Sequence, residues 1–134
     1  MKKKNRTLSL IKEKFAISQL RVEEEIPLWA FSEPSSFFSI IKTKEEISII
    51  CLEKYVPKEV LSSGGWSCLK VEGPFALNEP AILSSLVSPL AKAGISVFAQ
   101  ATYDTDYLLV NDIKKAIKTL RSLNHTILDF PFLE

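Results

Sequence analysis

The stretch from Trp66 to Leu128 limits the fold more than any other part of the chain, because its apolar spacing switches between that of a strand and that of a helix in a set order. Trp66–Glu72 (WSCLKVE) alternates loosely and holds β-favouring residues, which predicts a strand that Gly73-Pro74 stops. Asn78 suits a helix N-cap and Pro80 a first helical turn. Ile82, Leu83, Leu86, Val87 and Leu90 then recur on one helical face. Pro89 removes a donor inside that helix and predicts a kink or a loosened last turn. Gly94 stands where a left-handed cap ends it. Ile95–Ala101 reads as the next strand, Tyr103–Asp106 as a polar hairpin connection, and Tyr107–Val110 as the returning strand. Asn111 or Asp112 caps a second helix with Ile113, Ala116, Ile117, Leu120 and Leu123 on one face. Asn124 ends it, and His125–Leu128 is a last strand. Strand, helix, strand, strand, helix, strand is the split βαβ, or ferredoxin-like, order of an α+β fold.

The first half reads as an eroded version of the same plan. Lys14–Leu20 is a strand, Pro27–Phe31 a short helical turn, and Phe37–Lys42 with Ile47–Leu52 a hairpin across Thr43–Glu46. A short helical candidate covers Pro57–Leu61. Set against the later hairpin without gaps, Phe38 meets Phe98, Ile41 meets Ala101, Glu46 meets Asp106 and Ile50 meets Val110. That is a weak internal repeat, with chance similarity of two hairpins as the plain alternative. The expected architecture is two βαββαβ modules packed side by side, 1–62 reduced in helix content and 63–134 complete, with Ser62–Gly65 as a turn at the junction.

Charge and composition narrow the function. Over 134 residues the net charge is +1, with 46% apolar and 25% charged residues. A nucleic-acid binder usually carries a clear basic excess. No apolar run approaches the ~20 residues of a membrane span, and the start MKKKNRTLSL reads as a solvated tail, not a secretory signal. Cys51 and Cys68 lie in strand-like apolar runs and read as reduced, buried thiols of a cytoplasmic protein. With His125 as the one histidine and no CxxC pair, no metal site is expected, and no phosphate loop or other cofactor motif is present.

Several stretches together resemble the tandem ACT-domain family of small bacterial proteins. They are Gly65-Trp66, Lys70–Pro74 (KVEGP), Pro89–Phe98 (PLAKAGISVF) and Thr102–Val110 (TYDTDYLLV), joined in the first half by Ile26–Trp29 (IPLW), Phe38–Ile40 (FSI) and Glu46–Cys51 (EISIIC). The resemblance covers nearly the whole chain. The family is similar to the ACT regions of aspartate kinase and to the cytosolic arginine sensor of animals. It implies paired βαββαβ modules that bind small ligands, typically amino acids, near the first strand-to-helix loop, in a homodimer. Pro80-Ala81 departs from the Thr-Gly that relatives often carry there. The change removes a donor and adds a methyl group at the helix start, so it implies a site that is narrowed, shifted or lost.

The candidate ligand residues are Gly73, Asn78, Glu79 and Ala81 in the loop before the first helix, and Thr102, Tyr103, Asp104 and Asp106 in the hairpin. Free N–H groups at a helix start favour an amino-acid carboxylate. A fixed carboxylate, with Asp106 preferred, suits an ammonium or a guanidinium. Aspartates in a turn also bond nearby backbone, and that is the first reading of Asp104 and Asp106. Catalysis ranks last, because no nucleophile and base stand in a recognisable arrangement. The expected function is an amino-acid-binding regulatory sensor without catalysis of its own. The alternative is a dimerisation module that has lost its ligand. RNA binding, with Phe98 as a stacking residue, comes third, since the RNA-recognition pattern is absent.

Overall fold

A computed structural model describes residues 5–31, 37–73 and 82–128. Its strands are β1 (Thr7–Leu20), β2 (Ser39–Lys42), β3 (Ile47–Leu52), β4 (Leu61–Val71), β5 (Val97–Ala101), β6 (Asp106–Val110) and β7 (Thr126–Leu128). Its α-helices are α1 (Ile82–Lys92) and α2 (Ile113–Ser122). The chain forms two compact units, one of Met1–Lys12 with Ser67–Glu134 and one of Glu13–Trp66. Strands β1 and β4 each give residues to both.

In the first of these units β6 lies between β4 and β5. It pairs antiparallel with β4 from Ser67↔Val110 to Val71↔Asp106, and with β5 from Val97↔Val110 to Ala101↔Asp106. The front of β1 runs parallel to β7, Thr7↔Thr126 to Ser9↔Leu128, and Glu72 N–H donates to the Thr7 carbonyl at 2.8 Å. The order is therefore β7-β1-β4-β6-β5. Sequence reading starts this strand at Lys14, yet Thr7–Glu13 extends it. The alternation in TLSLIKE is weak, and pairing on both sides supplies the order that local pattern does not.

One face of this sheet carries both helices. Leu69, Val71, Leu108 and Val110 share a core with Leu8, Ile95, Ile127, Leu86 and Leu90 of α1 and Ala116 and Leu120 of α2. Pro89 does not end α1. Its effect is a loosened last turn, where Ala93 N–H is shared between the Pro89 and Leu90 carbonyls at 3.1 Å each. Gly94 then takes φ +82°, its N–H reaches Ala91 O at 3.0 Å, and Ile95 N–H reaches Leu90 O at 3.0 Å. That pair of bonds is a Schellman cap, closed by burial of Ile95. Asn124 (φ 71°) does the same for α2, with His125 N–H to Leu120 O at 3.1 Å, and Asp112 caps its start by accepting from Lys115 N–H at 3.1 Å. A Cβ on residue 94 would meet nothing closer than Lys115 Nζ at 3.9 Å, so Gly94→Ala costs backbone strain alone. The expected loss is about 1–2 kcal/mol, read from the chemical-denaturation midpoint.

The unit Glu13–Trp66 is built on β1 and a hairpin. The back of β1 pairs antiparallel with β3, Phe15↔Leu52 to Leu20↔Ile47, and β3 with β2, Ser39↔Ile50 to Lys42↔Ile47. Leu20, Ile47, Ile49 and Cys51 pack with Ala30 of the 3-10 turn Leu28–Phe31 and with Trp29, Ile40, Val56 and Val60. On the opposite side of β1, the Phe15 ring stands 5.8 Å from Phe37. Pro57–Leu61 is not helical: Val60 N–H closes a turn onto Pro57 O at 3.1 Å and Leu61 opens β4. Ser62–Gly65 is not a turn but part of β4. Gly65 has φ +79° and donates to Glu53 Oε1 at 2.8 Å, and a Cβ on Gly64 would stand 3.0 Å from Glu53 Cδ. The two glycines admit Glu53 against a strand and do not reverse the chain.

Candidate functional site

The β5–β6 connection is a four-residue turn, Thr102–Thr105, and its threonines hold it. Thr102 N–H donates to Thr105 O at 2.8 Å, Thr102 Oγ1 donates to the same carbonyl at 3.0 Å, and Thr105 N–H donates back to Thr102 Oγ1 at 3.1 Å. The two hydroxyls lie 3.1 Å apart. Sequence reading gives the turn to the aspartates; the structure gives it to Thr102 and Thr105, the second of which is absent from the candidate set. The Thr-x-x-Thr spacing was its available signal. Tyr103 is 77% exposed and Asp104 is exposed.

Asp106 is not in the turn. It is the first residue of β6, 7% exposed, and lies in a cross-strand row with Val71 of β4 and Ala101 of β5. Because alternate residues of a strand share a face, Asp106 lies on the side of Leu108, Leu69 and Val71, which is the side that carries the helices. Among the described residues its carboxylate has no hydrogen-bond or ion-pair partner. Burial pushes its carboxyl up from the ordinary range. The neighbouring acid is settled differently. Glu72 accepts from the Ser9 hydroxyl and pairs with Lys70 Nζ at 3.6 Å.

The structure brings Gly73 and Thr102 to the same sheet end as Asp106. Gly73 is exposed and follows Val71 by two residues; Thr102 follows Ala101. Strand β4 leads to α1, whose first residue Ile82 is 6% exposed. Asn78, Glu79 and Ala81 lie outside the described residues.

A family model of the ACT domain matches residues 61–122, from the start of β4 to the end of α2. A second model, described as an N-terminal domain, matches residues 13–59. Protein Atu0741 from Agobacterium tumefaciens, a solved structure, is 36% identical with a TM-score of 0.89, and the match covers 98% of each chain. The chain belongs to the ACT-domain family. Human protein CASTOR3P is 36% identical over 101 residues, 64% of this chain and 62% of that protein's length. The regulatory subunit of aspartate kinase from Thermus thermophilus shares the fold at 8% identity, with a TM-score of 0.57 over 87% of this chain and 95% of that one.

Within this ACT-family chain the two hairpins use the same turn. Thr43 N–H donates to Glu46 O at 2.9 Å, and Thr43 Oγ1 accepts from Glu45 and Glu46 N–H at 3.1 and 3.2 Å. Lys42 pairs with Ile47 as Ala101 pairs with Asp106, so Thr43 matches Thr102 and Ile47 matches Asp106. The gapless set from sequence is one residue off. In a strand one residue changes the face, so that set wrongly gives both hairpins an acid at this position. Ile47 is fully buried, and only the ACT hairpin of residues 97–110 carries the inward carboxylate.

Other reactive groups of the ACT-family chain are structural. Cys51 and Cys68 are free and buried, and burial pushes their thiols up to about 11 and about 12, so both stay protonated and unreactive near neutral pH. His125 is 7% exposed, and its Nδ1 accepts from Arg6 N–H at 3.0 Å, which fastens β7 to β1. Among the described residues no group of three or more His, Cys, Asp or Glu is placed to hold a metal ion, and no helix is long and apolar enough to cross a membrane. Phe98 lies on β5, at the sheet edge. Its row partner Leu109, and Cys68 beyond it, are fully buried, so they form no open platform for stacked bases.

Proposed function

We propose that the chain is a regulatory module that binds an amino acid, with Asp106 taking the ligand's ammonium or guanidinium. The observation that carries the reading is Asp106, a largely buried residue whose carboxylate has no partner among the described residues. Such a group costs stability unless something pairs with it, and a cationic ligand would form short, charge-assisted bonds there. The ligand's carboxylate goes to the N–H groups of Asn78, Glu79 and Ala81, which precede α1 in the chain, with Gly73 leaving room for close approach. Thr102, Tyr103 and Asp104 form the rim, Tyr103 covering the ligand's aliphatic stem. Catalysis has no part in it. The module acts in the cytoplasm, as a homodimer, by binding one of two assembly states more tightly than the other.

A thermal-shift screen with the twenty amino acids tests this. A ligand at about 100 times its dissociation constant adds about 2.7 kcal/mol, a rise of several degrees in a domain of this size. A flat response to every amino acid at millimolar concentration rejects the sensor and leaves an assembly module.

A further inference from the structure

The near-zero net charge of the chain hides a division. The unit Met1–Lys12 with Ser67–Glu134 has eleven basic and seven acidic residues, or +4; the unit Glu13–Trp66 has six basic and nine acidic, or −3. Part of each excess is clustered. On α2 a shallow, open groove of about 610 Å³ is lined by Lys114, Ile117, Lys118, Arg121 and Ser122, with no carboxylate among its described lining residues. Its floor is the half-buried Ile117. Lys114 and Lys118 have no ion-pair partner among the described residues, and Arg121 is held by an Nη2 bond to Ile127 O at 3.1 Å. In the other unit, Glu23-Glu24-Glu25-Ile26-Pro27-Leu28 joins an acidic run to exposed apolar side chains. Ile26 is 39% exposed and Leu28 87%. Glu24 pairs with Arg21 at 3.4 Å, while Glu23 and Glu25 have no partner among the described residues.

We propose that Glu23–Leu28 of one copy docks into the α2 groove of a second copy. Leu28 covers Ile117, and Glu23 and Glu25 face Lys114, Lys118 and Arg121. The spacing fits. Lys114 and Lys118 stand about 6 Å apart along the helix axis, and the Cα atoms of two residues two places apart on a chain are separated by at most about 7 Å, which leaves their flexible carboxylates within reach of both. At 87% exposure Leu28 is open to a contact from a second copy. The groove suits an acidic segment with an apolar side chain better than a bare anion, because its floor is apolar and its rim cationic. A contact this small is weak, and salt screens it.

Sedimentation velocity of the full chain, at concentrations up to about 1 mM, reads the association at about 50 mM and about 500 mM salt. The expected result is self-association that falls at least about tenfold at the higher salt. Lys118→Glu, Glu23→Lys and Leu28→Ser should each weaken it by about tenfold or more, while an equimolar mixture of Lys118→Glu and Glu23→Lys regains it. Lys118→Gln, milder in charge, should weaken it less. Unchanged thermal midpoints show that the variants fold. A monomer throughout at low salt, or association indifferent to all these substitutions, overturns the proposal. So does loss of heparin or RNA-oligonucleotide binding by Lys118→Glu with self-association untouched, which assigns the groove to a polyanion.

Discussion

Leu108→Ala is expected to destabilise the protein by about 2–5 kcal/mol, a large part of the ~5–15 kcal/mol that holds an ordinary domain folded. Leu108 is fully buried in the middle of β6, opposite Leu69 on one side and Ala99 on the other. It faces the core that α1 and α2 complete through Leu86, Leu90 and Leu120. Truncation removes contacts on that face, and the strand cannot move to fill the space because both of its edges are bonded to neighbours. The midpoint of urea unfolding, followed by circular dichroism, measures the loss. A change under about 1 kcal/mol would mean that the helices close over the gap.

Two residues earlier on the same face, Asp106→Asn is expected to act in the opposite direction. The amide has nearly the same shape and no charge to desolvate, so the variant should gain on the order of 1 kcal/mol or less at pH 7. The pH dependence follows from the raised carboxyl of Asp106. The folded chain keeps that proton to a higher pH than the unfolded chain does. The stability linked to it is therefore complete below the unfolded value of about 4, and is lost as pH rises through the higher folded value. The advantage of the variant should appear near neutral pH and vanish in acid, as thermal midpoints of both proteins at the two pH values will record. A variant less stable than the parent at pH 7 would show that the carboxylate is bonded in the folded state. The same substitution should weaken ligand binding by about 1.5–3 kcal/mol, one to two decades of affinity. Stability gained with affinity lost is the mark of a strained binding residue. Both moving down together would mark a structural one.

Much of the ACT unit is legible along the chain. Helices α1 and α2 stand where the spacing of Ile82, Leu86 and Leu90 and of Ile113, Ala116 and Leu120 puts them, and Asp112, Gly94 and Asn124 mark their ends. The hairpin around Thr102–Thr105 is equally local. The less legible parts have a common cause. Thr7–Glu13 carries little pattern of its own and becomes strand because β7 and β4 flank it. Gly64-Gly65 reads as a turn because glycine usually marks one; in the fold the pair lies inside β4, with Glu53, twelve residues earlier, packed against it. The hairpin repeat slips by one residue because a gapless comparison does not see which residues pair.

For the site, sequence alone determined that an acidic hairpin follows a helix whose start offers Asn78 as a cap, because turns and caps depend on residues a few places apart. Tertiary structure decided that Asp104 faces water and Asp106 the core, and that Ile47 takes the matching place in the other hairpin. Which way a strand residue faces depends on register. Register is set by partners far along the chain, and a shift of one residue reverses every face.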